Sequence, residues 1–349
     1  MKTEHILVIR FSAMGDVAMT VPIISSLARQ YPDVRITVLS KPFARELFED
    51  LAPNVGFMEA DLQREYHGIK GLNALYRRLT AKNFTLIADL HNVLRSDYLR
   101  MRFNLDRFHV AHINKHRQER RQLTATSNKV LSPIHTAFEN YAKVFEDLGY
   151  PVKPDFTSIF TTPEQCSLRL LPGQVGEKKP FQQWIGIAPF AAHRGKAYPL
   201  PLMEQVIDLL QKRHPSCRIF LFGGGQKESE QIDGIVSRNP KCFKVAGVLK
   251  GIRQELILMS HLDVMISMDS ANMHLASLVA TPVVSIWGAT HPYAGFMGWK
   301  QNPHNVVQID LPCRPCSIFG NKPCLRKDYA CLKNISPEMI VEKVEKVLS

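Results

Sequence analysis

An aspartate in the first loop of the chain is the earliest side chain that could do chemistry. Residues 6–9 form a continuous apolar run of strand length, and residues 17–31 have the apolar periodicity of a helix. Asp16 lies in the turn between them, directly after Gly15. Such a turn lies at the carboxyl edge of a parallel sheet, where ligands bind and helix N–H groups are unpaired. Asp16 is therefore predicted to lie at the rim of an active site, or to stabilise the helix dipole.

Two later apolar runs lead into polar side chains in the same way. The run over residues 84–90 includes Asp89 and is followed by His91, and the run over residues 264–268 is followed by Asp269. The first loop lacks the G-x-G-x-x-G spacing that lets a backbone approach a pyrophosphate, so the sequence gives only weak support to dinucleotide binding there.

Strands and helices alternate through both halves of the chain, which indicates an α/β protein. At 349 residues the chain exceeds what one hydrophobic core usually supports. The hydrophobic periodicity ends over residues 161–183, where Pro and Gly residues are frequent. This segment is predicted to connect two domains. We predict an N-terminal domain over residues 1–165, a C-terminal domain over residues 184–332 and a terminal helix over residues 333–349.

The local patterns also place individual elements. In the N-terminal half, strands are predicted over residues 35–40, 55–59, 84–90 and 108–113, and helices over residues 41–50, 72–82, 95–103 and 133–148. In the C-terminal half, the main strands are predicted over residues 184–189, 217–222, 264–268 and 282–287.

The composition is that of an ordinary soluble protein. Apolar residues make up 45% of the chain and charged residues 22%. No apolar run reaches the roughly 18 residues of a membrane span. Residues 1–5 lead directly into the first strand and do not resemble a secretory signal, so a cytoplasmic protein is expected.

The formal net charge of +12 points to an anionic partner. Basic residues concentrate over residues 95–121, a cluster that is either a solvated face or the site of an anionic acceptor. A phosphorylated substrate, an anionic membrane surface and a nucleic acid would all satisfy the charge. Aromatic side chains do not interleave with the cluster as a base-stacking platform requires, which argues against nucleic acid.

Four segments occur in an order that resembles one family. Residues 10–17, 89–96, 190–199 and 269–276, with residues 288–292 after them, resemble the ADP-heptose:lipopolysaccharide heptosyltransferases, glycosyltransferase family 9. The likeness runs over nearly the whole chain.

The resemblance implies a GT-B fold, in which two Rossmann-like, doubly wound domains face each other across a cleft and the C-terminal helix packs back on the first domain. It also implies an inverting, metal-independent enzyme that transfers heptose from ADP-heptose to a lipid-linked lipopolysaccharide inner-core acceptor. The acceptor would lie on the first domain and the nucleotide sugar on the second. Peripheral contact with the inner face of the membrane is expected, and the sequence indicates no oligomeric state.

The catalytic and donor residues follow from the matching segments. Asp16 resembles the base that takes the proton of the acceptor hydroxyl. Lys196 is the best cation for the leaving diphosphate. The helix that starts after Asp269 would offer N–H groups. The residues of that segment expected to bind the donor are Asp269, Ser270, Ala271, Asn272 and His274.

Several of these roles have structural alternatives. His274 would reach a phosphate or fill the interface between helix and sheet. Glu228 resembles a ribose-binding carboxylate, and a helix-start glutamate is an equally good interpretation. Arg10 would keep Asp16 ionised or position it.

The acceptor side of the site is expected to be shaped by three further residues, Asp89, His91 and Arg95. Loop capping is the alternative for Asp89.

The chain departs from the family pattern in two loops. The family commonly has Asp-Thr-Gly-Leu where this chain has residues 269–272, Asp-Ser-Ala-Asn, so a glycine is missing near the phosphates. A Thr-rich run is replaced by residues 191–195, where Arg194 adds a cation. These differences bear on the identity of the sugar and the nucleotide rather than on the reaction class.

Four of the seven cysteines have the spacing C-x2-C-x7-C-x6-C; they are Cys313, Cys316, Cys324 and Cys331. Four thiolates on one loop would satisfy tetrahedral zinc, and a disulfide pair or free thiols would fit the same spacing. A structural role is expected in each case, and no cofactor is expected for catalysis.

Three functions compete at this level. The first is the heptosyltransferase. The second is a GT-B glycosyltransferase with another nucleotide sugar or glycan acceptor, and the third is a non-catalytic basic module that binds anions. Asp16 and Lys196, the base and the cation, distinguish the enzymes from the module.

Overall fold

The protein is built from two compact α/β units, which a computed structural model describes over residues 4–349. The first unit is the chain up to Lys115 together with Thr136–Ile159. The second unit is His116–His135 together with Phe160–Ser349.

Within the described residues the strands are β1 (His5–Ile9), β2 (Arg35–Ser40), β3 (Val55–Glu59), β4 (Leu86–Asp89), β5 (His109–His112), β6 (Trp184–Ala188), β7 (Arg218–Leu221), β8 (Cys242–Lys244), β9 (Val264–Met268), β10 (Val283–Ile286) and β11 (Val306–Val307). The α-helices are α1 (Met14–Ala18), α2 (Val21–Gln30), α3 (Gly68–Thr80), α4 (Leu94–Leu105), α5 (Arg117–Leu123), α6 (Ala137–Asp147), α7 (Leu200–Arg213), α8 (Gly225–Arg238), α9 (Gly251–Ser260), α10 (Ala271–Leu278), α11 (Ala330–Lys333) and α12 (Pro337–Leu348).

The strands of the first unit pair in parallel in the order β3-β2-β1-β4-β5. The central strand β1 is buried along its whole length, which is why its sequence is an unbroken apolar run. Ile9 at the end of β1 lies opposite Asp89 at the end of β4. The loops after these two strands therefore leave the sheet at the same edge.

The strands of the second unit are also parallel, in the order β11-β10-β9-β6-β7-β8. Strands β6, β7, β9 and β10 end at Ala188, Leu221, Met268 and Ile286. The loops after these residues contain the predicted donor-binding side chains, and all of them lie at one sheet edge. The predicted α/β alternation and both parallel sheets are confirmed.

Local sequence explains the ends of several helices. Thr136 caps α6 by accepting a hydrogen bond from Glu139 N at 3.2 Å, and the Glu139 carboxylate accepts from Thr136 N at 2.7 Å. This reciprocal pair is the capping box encoded by T-x-x-E. The predicted helix over residues 17–31 is divided into α1 and α2, with Pro22 in the first turn of α2 where its missing N–H costs nothing.

Some elements differ from the sequence-based predictions. The helix predicted over residues 41–50 is a short 3-10 helix, Pro42–Leu47. Helix α5 was not predicted; it lies in the segment His116–His135, which groups with the second unit although it was expected in the N-terminal domain. Lys129 Nζ in this segment donates to Pro315 O at 2.9 Å, and Ile134 N donates to Tyr293 O at 3.0 Å.

The terminal helix packs on the second unit, so the expectation that it packs back on the first domain is wrong. Helix α12 lies against α7 and against strands β9, β10 and β11. Its apolar face joins the core of the second unit through Ile340, Val341 and Val344. Arg213 and Glu345 form an ion pair of 3.0 Å between α7 and α12. An amphipathic stripe demands burial but does not say against which surface.

In the part of the chain that the structure describes, none of the helices combines the length and the apolar character needed to cross a lipid bilayer.

The packing of α12 predicts a large effect of a cavity in that helix. Ile340→Ala removes a fully buried side chain and is expected to lower the free energy of unfolding by about 2–5 kcal/mol. Denaturant titration measures this loss. The matched control is Glu342→Ala, an exposed position on the same helix, which is expected to change stability by less than about 0.5 kcal/mol. Equal effects of the two substitutions would contradict the packing.

Candidate active site

Asp16 presents a carboxylate whose two oxygens are both engaged by the protein. It lies in the first turn of α1, where one oxygen accepts a hydrogen bond from Ala13 N at 3.1 Å. The other oxygen forms an ion pair with the Arg10 guanidinium at 2.8 Å. The Asp16 side chain is 30% exposed, whereas that of Arg10 is 9% exposed. The carboxylate is therefore held in place, charged and open to an incoming molecule.

Arg10 joins the ends of two strands. Its guanidinium follows β1 and donates to Leu90 O, in the loop after β4, at 2.6 Å. The same group contacts Asp16, as the sequence predicted. Because a buried cation is costly unless it is paired, the pairing constrains the positions of both loops.

Asp89 is fully buried and organises the loop after β4. Its Oδ1 accepts hydrogen bonds from His91 N and Asn92 N, both at 2.9 Å, and its Oδ2 lies 3.2 Å from Arg100. These contacts are the capping alternative that the sequence left open. Asp89 is thus buried and shapes the loop after β4, while its role toward an acceptor stays a prediction.

His91 is a buried, neutral imidazole beside the Asp16 loop. Its Nδ1 accepts from Phe11 N at 3.4 Å, and its Nε2 lies 3.5 Å from Ser12 Oγ. Burial, followed by the charges of Arg10 and Lys115, lowers the pKa of His91 from 6.5 to about 3. The ring is therefore uncharged near neutral pH and acts as a polar packing group against the loop.

Arg95 lies in the first turn of α4 and is exposed to solvent. Helix α4 begins directly after the Asp89 loop, so Arg95 lies at the same sheet edge as Asp16. Of the predicted acceptor residues, the structure thus brings Arg10 and His91 directly to the Asp16 loop, buries Asp89 beneath it and leaves Arg95 at its margin.

In the second unit, Lys196 and Asp269, each predicted to bind the donor, form an ion pair. The Lys196 ammonium lies 3.0 Å from Asp269 Oδ2. Asp269 is almost completely buried at the end of β9, and Lys196 is partly exposed in the loop after β6. A cation held by a buried carboxylate at this edge is positioned to meet an anion from solvent.

Helix α10 begins beside this pair. Ser270 is its N-cap residue, and Ala271 and Asn272 open its first turn with N–H groups that have no intrahelical partner. The Ser270 hydroxyl lies 3.2 Å from Ser267 Oγ instead of capping the helix. His274 is buried within the helix, which agrees with the interface-filling alternative. The amino terminus of α10 follows Asp269, the ion-pair partner of Lys196, and its role in binding a donor phosphate stays a prediction.

Glu228 caps its own helix. Its carboxylate accepts a hydrogen bond from Gly224 N at 2.8 Å at the start of α8, in the loop after β7. The side chain is partly buried at the same sheet edge as Lys196. The structure thus supports the helix-start interpretation, and a ribose-binding role stays a prediction.

The loop between β11 and α11, which contains Cys313, Cys316 and Cys324 and which we call the cysteine loop, supports Lys196, a relation that the sequence analysis missed. Gly320 in this loop has a φ of +73°, and a Cβ there would lie 2.6 Å from Lys196 Cγ. Gly195 N donates to Gly320 O at 3.3 Å, and the Arg194 guanidinium lies over the Tyr329 ring at 4.6 Å. The cysteine loop therefore forms the wall against which the Lys196 stem lies.

Arg314 is a second residue that sequence reasoning missed. It is buried and donates to Gly288 O at 2.5 Å, to Thr290 O at 3.0 Å and to Trp287 O at 3.2 Å. Burial lowers its pKa. Its guanidinium thus holds together the loop after β10. An arginine between two cysteines of the loop is the signal that could have drawn attention to it.

The cysteines themselves are free thiols in this structure. Among residues 4–349 there is no group of three or more His, Cys, Asp or Glu side chains placed to hold a metal ion. The zinc, disulfide and free-thiol alternatives for Cys313, Cys316, Cys324 and Cys331 stay predictions. Burial raises the pKa of Cys331 to about 11, which keeps that thiol protonated.

The chain is similar to proteins of known family. The profile of glycosyltransferase family 9 (heptosyltransferase) matches residues 72–325. Lipopolysaccharide heptosyltransferase 3 of Escherichia coli K12 is 27% identical over 314 residues, which cover 84% of each chain. A glycosyl transferase family 9 structure from Veillonella parvula has a TM-score of 0.73 at 17% identity, over 100% of this chain and 98% of its own. E. coli heptosyltransferase WaaC with ADP-2-deoxy-2-fluoro heptose has a TM-score of 0.68 at 16% identity, over 98% and 99%.

The two parallel sheets and the structural likeness define a glycosyltransferase with the GT-B fold. The chain belongs to glycosyltransferase family 9 (heptosyltransferase). The family resemblance, the fold class and the enzyme class expected from the sequence are confirmed.

Because His91 is neutral in the folded chain, we expect the free energy of unfolding to fall in acid. The unfolded chain protonates this ring near pH 6.5 and the folded chain only near pH 3, so the free energy of unfolding falls by about 1.4 kcal/mol for each pH unit in that interval. His91→Gln is expected to remove this contribution, measured by denaturant titration from pH 7 downwards, while the contribution of His291, whose pKa burial lowers to about 4, should remain. His109→Gln, at an exposed position on β5, should keep the slope of the parent chain. The prediction is wrong if both variants lose stability on acidification as steeply as the parent.

The contact of Gly320 with Lys196 predicts the effect of one methyl group. Gly320→Ala is expected to cost about 1–2 kcal/mol of unfolding free energy, because it combines a left-handed backbone with a steric clash. It should also displace Lys196 and speed the acetylation of that amine, measured by mass spectrometry. Gly234→Ala within α8 is the control; it should be neutral or stabilising and leave the reactivity of Lys196 unchanged. Slow acetylation of Lys196 in both variants would refute the supporting role of the loop.

Proposed function

We propose that this protein is an inverting, metal-independent heptosyltransferase that transfers heptose from ADP-heptose to a lipid-linked lipopolysaccharide inner-core acceptor. The observation that carries the proposal is the Asp16 carboxylate, held by Arg10 at 2.8 Å and open to solvent at the sheet edge. Support for the sugar comes from the family and from lipopolysaccharide heptosyltransferase 3 of E. coli. Support for the nucleotide comes from the ligand of the similar WaaC structure.

On the acceptor side, Asp16 acts as the general base. As the acceptor oxygen attacks the anomeric carbon, its proton passes to the carboxylate. The contact with Arg10 keeps Asp16 ionised before the attack and fixes its direction. Attack on the face opposite to the leaving diphosphate inverts the anomeric centre.

On the donor side, the second unit receives the charge of the leaving ADP. Negative charge grows on the diphosphate as the glycosidic bond breaks, and the Lys196 ammonium and the first-turn N–H groups of α10 supply the opposing charge. Asp269 holds the Lys196 ammonium in place until the phosphate arrives. With these groups in place the reaction needs no divalent cation.

The lipid-linked acceptor defines where the enzyme acts. Such an acceptor is presented at a membrane surface, so the enzyme works in the cytoplasm at the inner face of the membrane. The excess of positive charge suits an acceptor with phosphates or acidic sugars.

Two features of the donor-binding loops support a second candidate, a GT-B glycosyltransferase with another nucleotide sugar. The Ser270 hydroxyl contacts Ser267 rather than the helix terminus, and Ala271 stands where the family commonly has glycine. These two features bear on which donor is accepted and leave the chemistry unchanged.

Thermal stability with nucleotides tests the donor. In EDTA, ADP is expected to raise the melting temperature more than GDP, UDP or CMP at equal concentration, and added magnesium should change the shift little. Lys196→Ala should lose most of the ADP shift, because it removes the cation that faces the diphosphate. A larger shift with another nucleotide would favour the second candidate, and no shift with any of them would contradict a nucleotide-sugar enzyme.

Asp16→Asn tests the base. Transfer, measured by mass analysis of the glycosylated acceptor, is expected to fall by about 10²–10⁴-fold, since the amide cannot accept the proton. The ADP shift should stay as in the parent chain, because Asp16 belongs to the acceptor side. The control is Asp33→Asn, an exposed loop position, which should keep full activity. If Asp16→Asn keeps full activity, the proposed mechanism is wrong.

A further inference from the structure

Helix α4 exposes an apolar stripe that the fold of the first unit does not use. Leu94, Met101 and Leu105 are 88%, 49% and 71% exposed. At about 100° per residue, Met101 and Leu105 lie within about 20° of Leu94, so the three side chains form one line along the helix. The opposite face, with Leu99 and Phe103, is fully buried against the sheet. The helix is thus apolar on two faces, and only one of them has a partner in the fold.

Helix α3 extends this stripe sideways. Tyr98 of α4 donates to Asn73 Oδ1 of α3 at 2.7 Å, which holds the two helices side by side. Ile69 lies one turn before Asn73 and is exposed, as Leu94 lies one turn before Tyr98. We call Ile69, Leu94, Met101 and Leu105 the α3–α4 surface. Exposed apolar side chains grouped on one surface mark interaction sites.

The charge around the α3–α4 surface is positive. Residues 68–107 contain eight Lys and Arg residues and three Asp residues. The basic residues are Lys70, Arg77, Arg78, Lys82, Arg95, Arg100, Arg102 and Arg107, and the acidic residues are Asp89, Asp97 and Asp106.

Each of the three carboxylates has a partner within the unit. Asp89 is fully buried beside Arg100, and Asp97 lies 2.8 Å from the same Arg100 guanidinium. Asp106 accepts a hydrogen bond from Tyr76. Six of the eight cations are exposed, whereas Asp106 is the one exposed carboxylate of the three. An apolar stripe flanked by cations is complementary to a bilayer interface with anionic headgroups.

The stripe starts at the sheet edge that carries the proposed base. Helix α4 begins directly after the loop of Asp89 and His91, and β4 is the neighbour of β1. From there the helix continues for about 18 Å along the unit. A bilayer that contacts this surface would hold a lipid-linked acceptor on the same side of the unit as Asp16.

We propose that the α3–α4 surface binds the interface of a bilayer that contains anionic lipids, with Leu94, Met101 and Leu105 inserted among the headgroups. This inference rests on the proposed lipid-linked acceptor. It adds the surface by which the enzyme reaches that acceptor.

The first experiment measures binding to vesicles by flotation. The full-length chain is mixed with vesicles of phosphatidylcholine alone, or with vesicles in which one third of the lipid is phosphatidylglycerol. The parent chain is expected to bind the anionic vesicles. The triple variant Leu94→Ser, Met101→Ser, Leu105→Ser should bind them roughly a hundredfold more weakly, about fivefold for each apolar side chain that no longer leaves water.

A matched control removes three exposed apolar side chains elsewhere. Leu170→Ser, Phe181→Ser, Leu325→Ser lies outside the α3–α4 surface and should bind vesicles like the parent. Circular dichroism and the melting temperature establish that each variant is folded. The single variant Leu94→Ser, at the most exposed of the three positions, gives an independent fivefold test if the triple variant does not fold.

A charge variant tests the lipid headgroup. Lys70→Gln, Arg77→Gln, Arg107→Gln should lose roughly a hundredfold in binding to anionic vesicles, about fivefold for each cation. Binding to neutral vesicles, which is weaker than binding to anionic vesicles, should be the same in this variant as in the parent. Equal loss on both vesicle types would overturn the assignment to anionic lipid.

Transfer assays separate this inference from the proposed function. With an inner-core acceptor whose acyl chains have been removed, the triple serine variant should be as active as the parent. With the intact acceptor in anionic vesicles, it should be at least about tenfold less active. Absence of transfer to either acceptor by the parent would refute the proposed function, while its vesicle binding would still test the surface.

Two results would overturn the inference. One is a parent chain that does not bind anionic vesicles, or a triple variant that binds them equally well. The other is a parent chain that self-associates in solution through this surface, so that the triple variant becomes monomeric while vesicle binding does not change.

Discussion

The first unit depends on keeping one buried guanidinium charged. Arg10 follows the central strand β1 and is almost completely removed from water, so its charge must be balanced locally. Asp16 supplies the opposite charge, and Leu90 O supplies an acceptor on the neighbouring strand. An interaction of this kind requires the loops after β1 and β4 to keep their relative positions. The proposed base is thus positioned by the same contact that makes the burial of Arg10 tolerable.

The second unit positions the Lys196 ammonium in a different way. Lys196 lies in a loop whose backbone is packed closely on both sides, by Gly320 from the cysteine loop and by Gly288 after β10. Only residues without a Cβ allow these approaches. Asp269 then fixes the end of the Lys196 side chain. The cysteine loop therefore has a role in the site that does not depend on sulfur chemistry.

The positive charge of the chain has several local roles rather than a single one. Arg10 and Arg314 are buried and hold loops, whereas Arg194 lies over an aromatic ring. The cations around α3 and α4 remain near the surface. Net charge alone could not distinguish these roles, since it reports neither burial nor partners.

Much of the fold follows from local pattern. An apolar run such as β1 is typical of a buried strand in a parallel sheet, and the Thr136 capping box marks the start of α6. The motif around Asp16 and the order of the matching segments indicate the family. These features depend on residues close together in the chain, so they can be predicted without knowledge of packing.

The tertiary structure decided which of these elements and side chains contact one another. The stripe of α12 required burial, but only the fold shows that α7 and the second sheet bury it. Asp89 fixes the conformation of its loop because its carboxylate contacts Arg100 and two backbone N–H groups. Gly320 contacts Lys196 although the two residues are distant in sequence. The sequence by itself therefore determined the elements, the family and the chemical groups, while long-range packing determined which of those groups meet, because contact between distant residues leaves no local pattern in the chain.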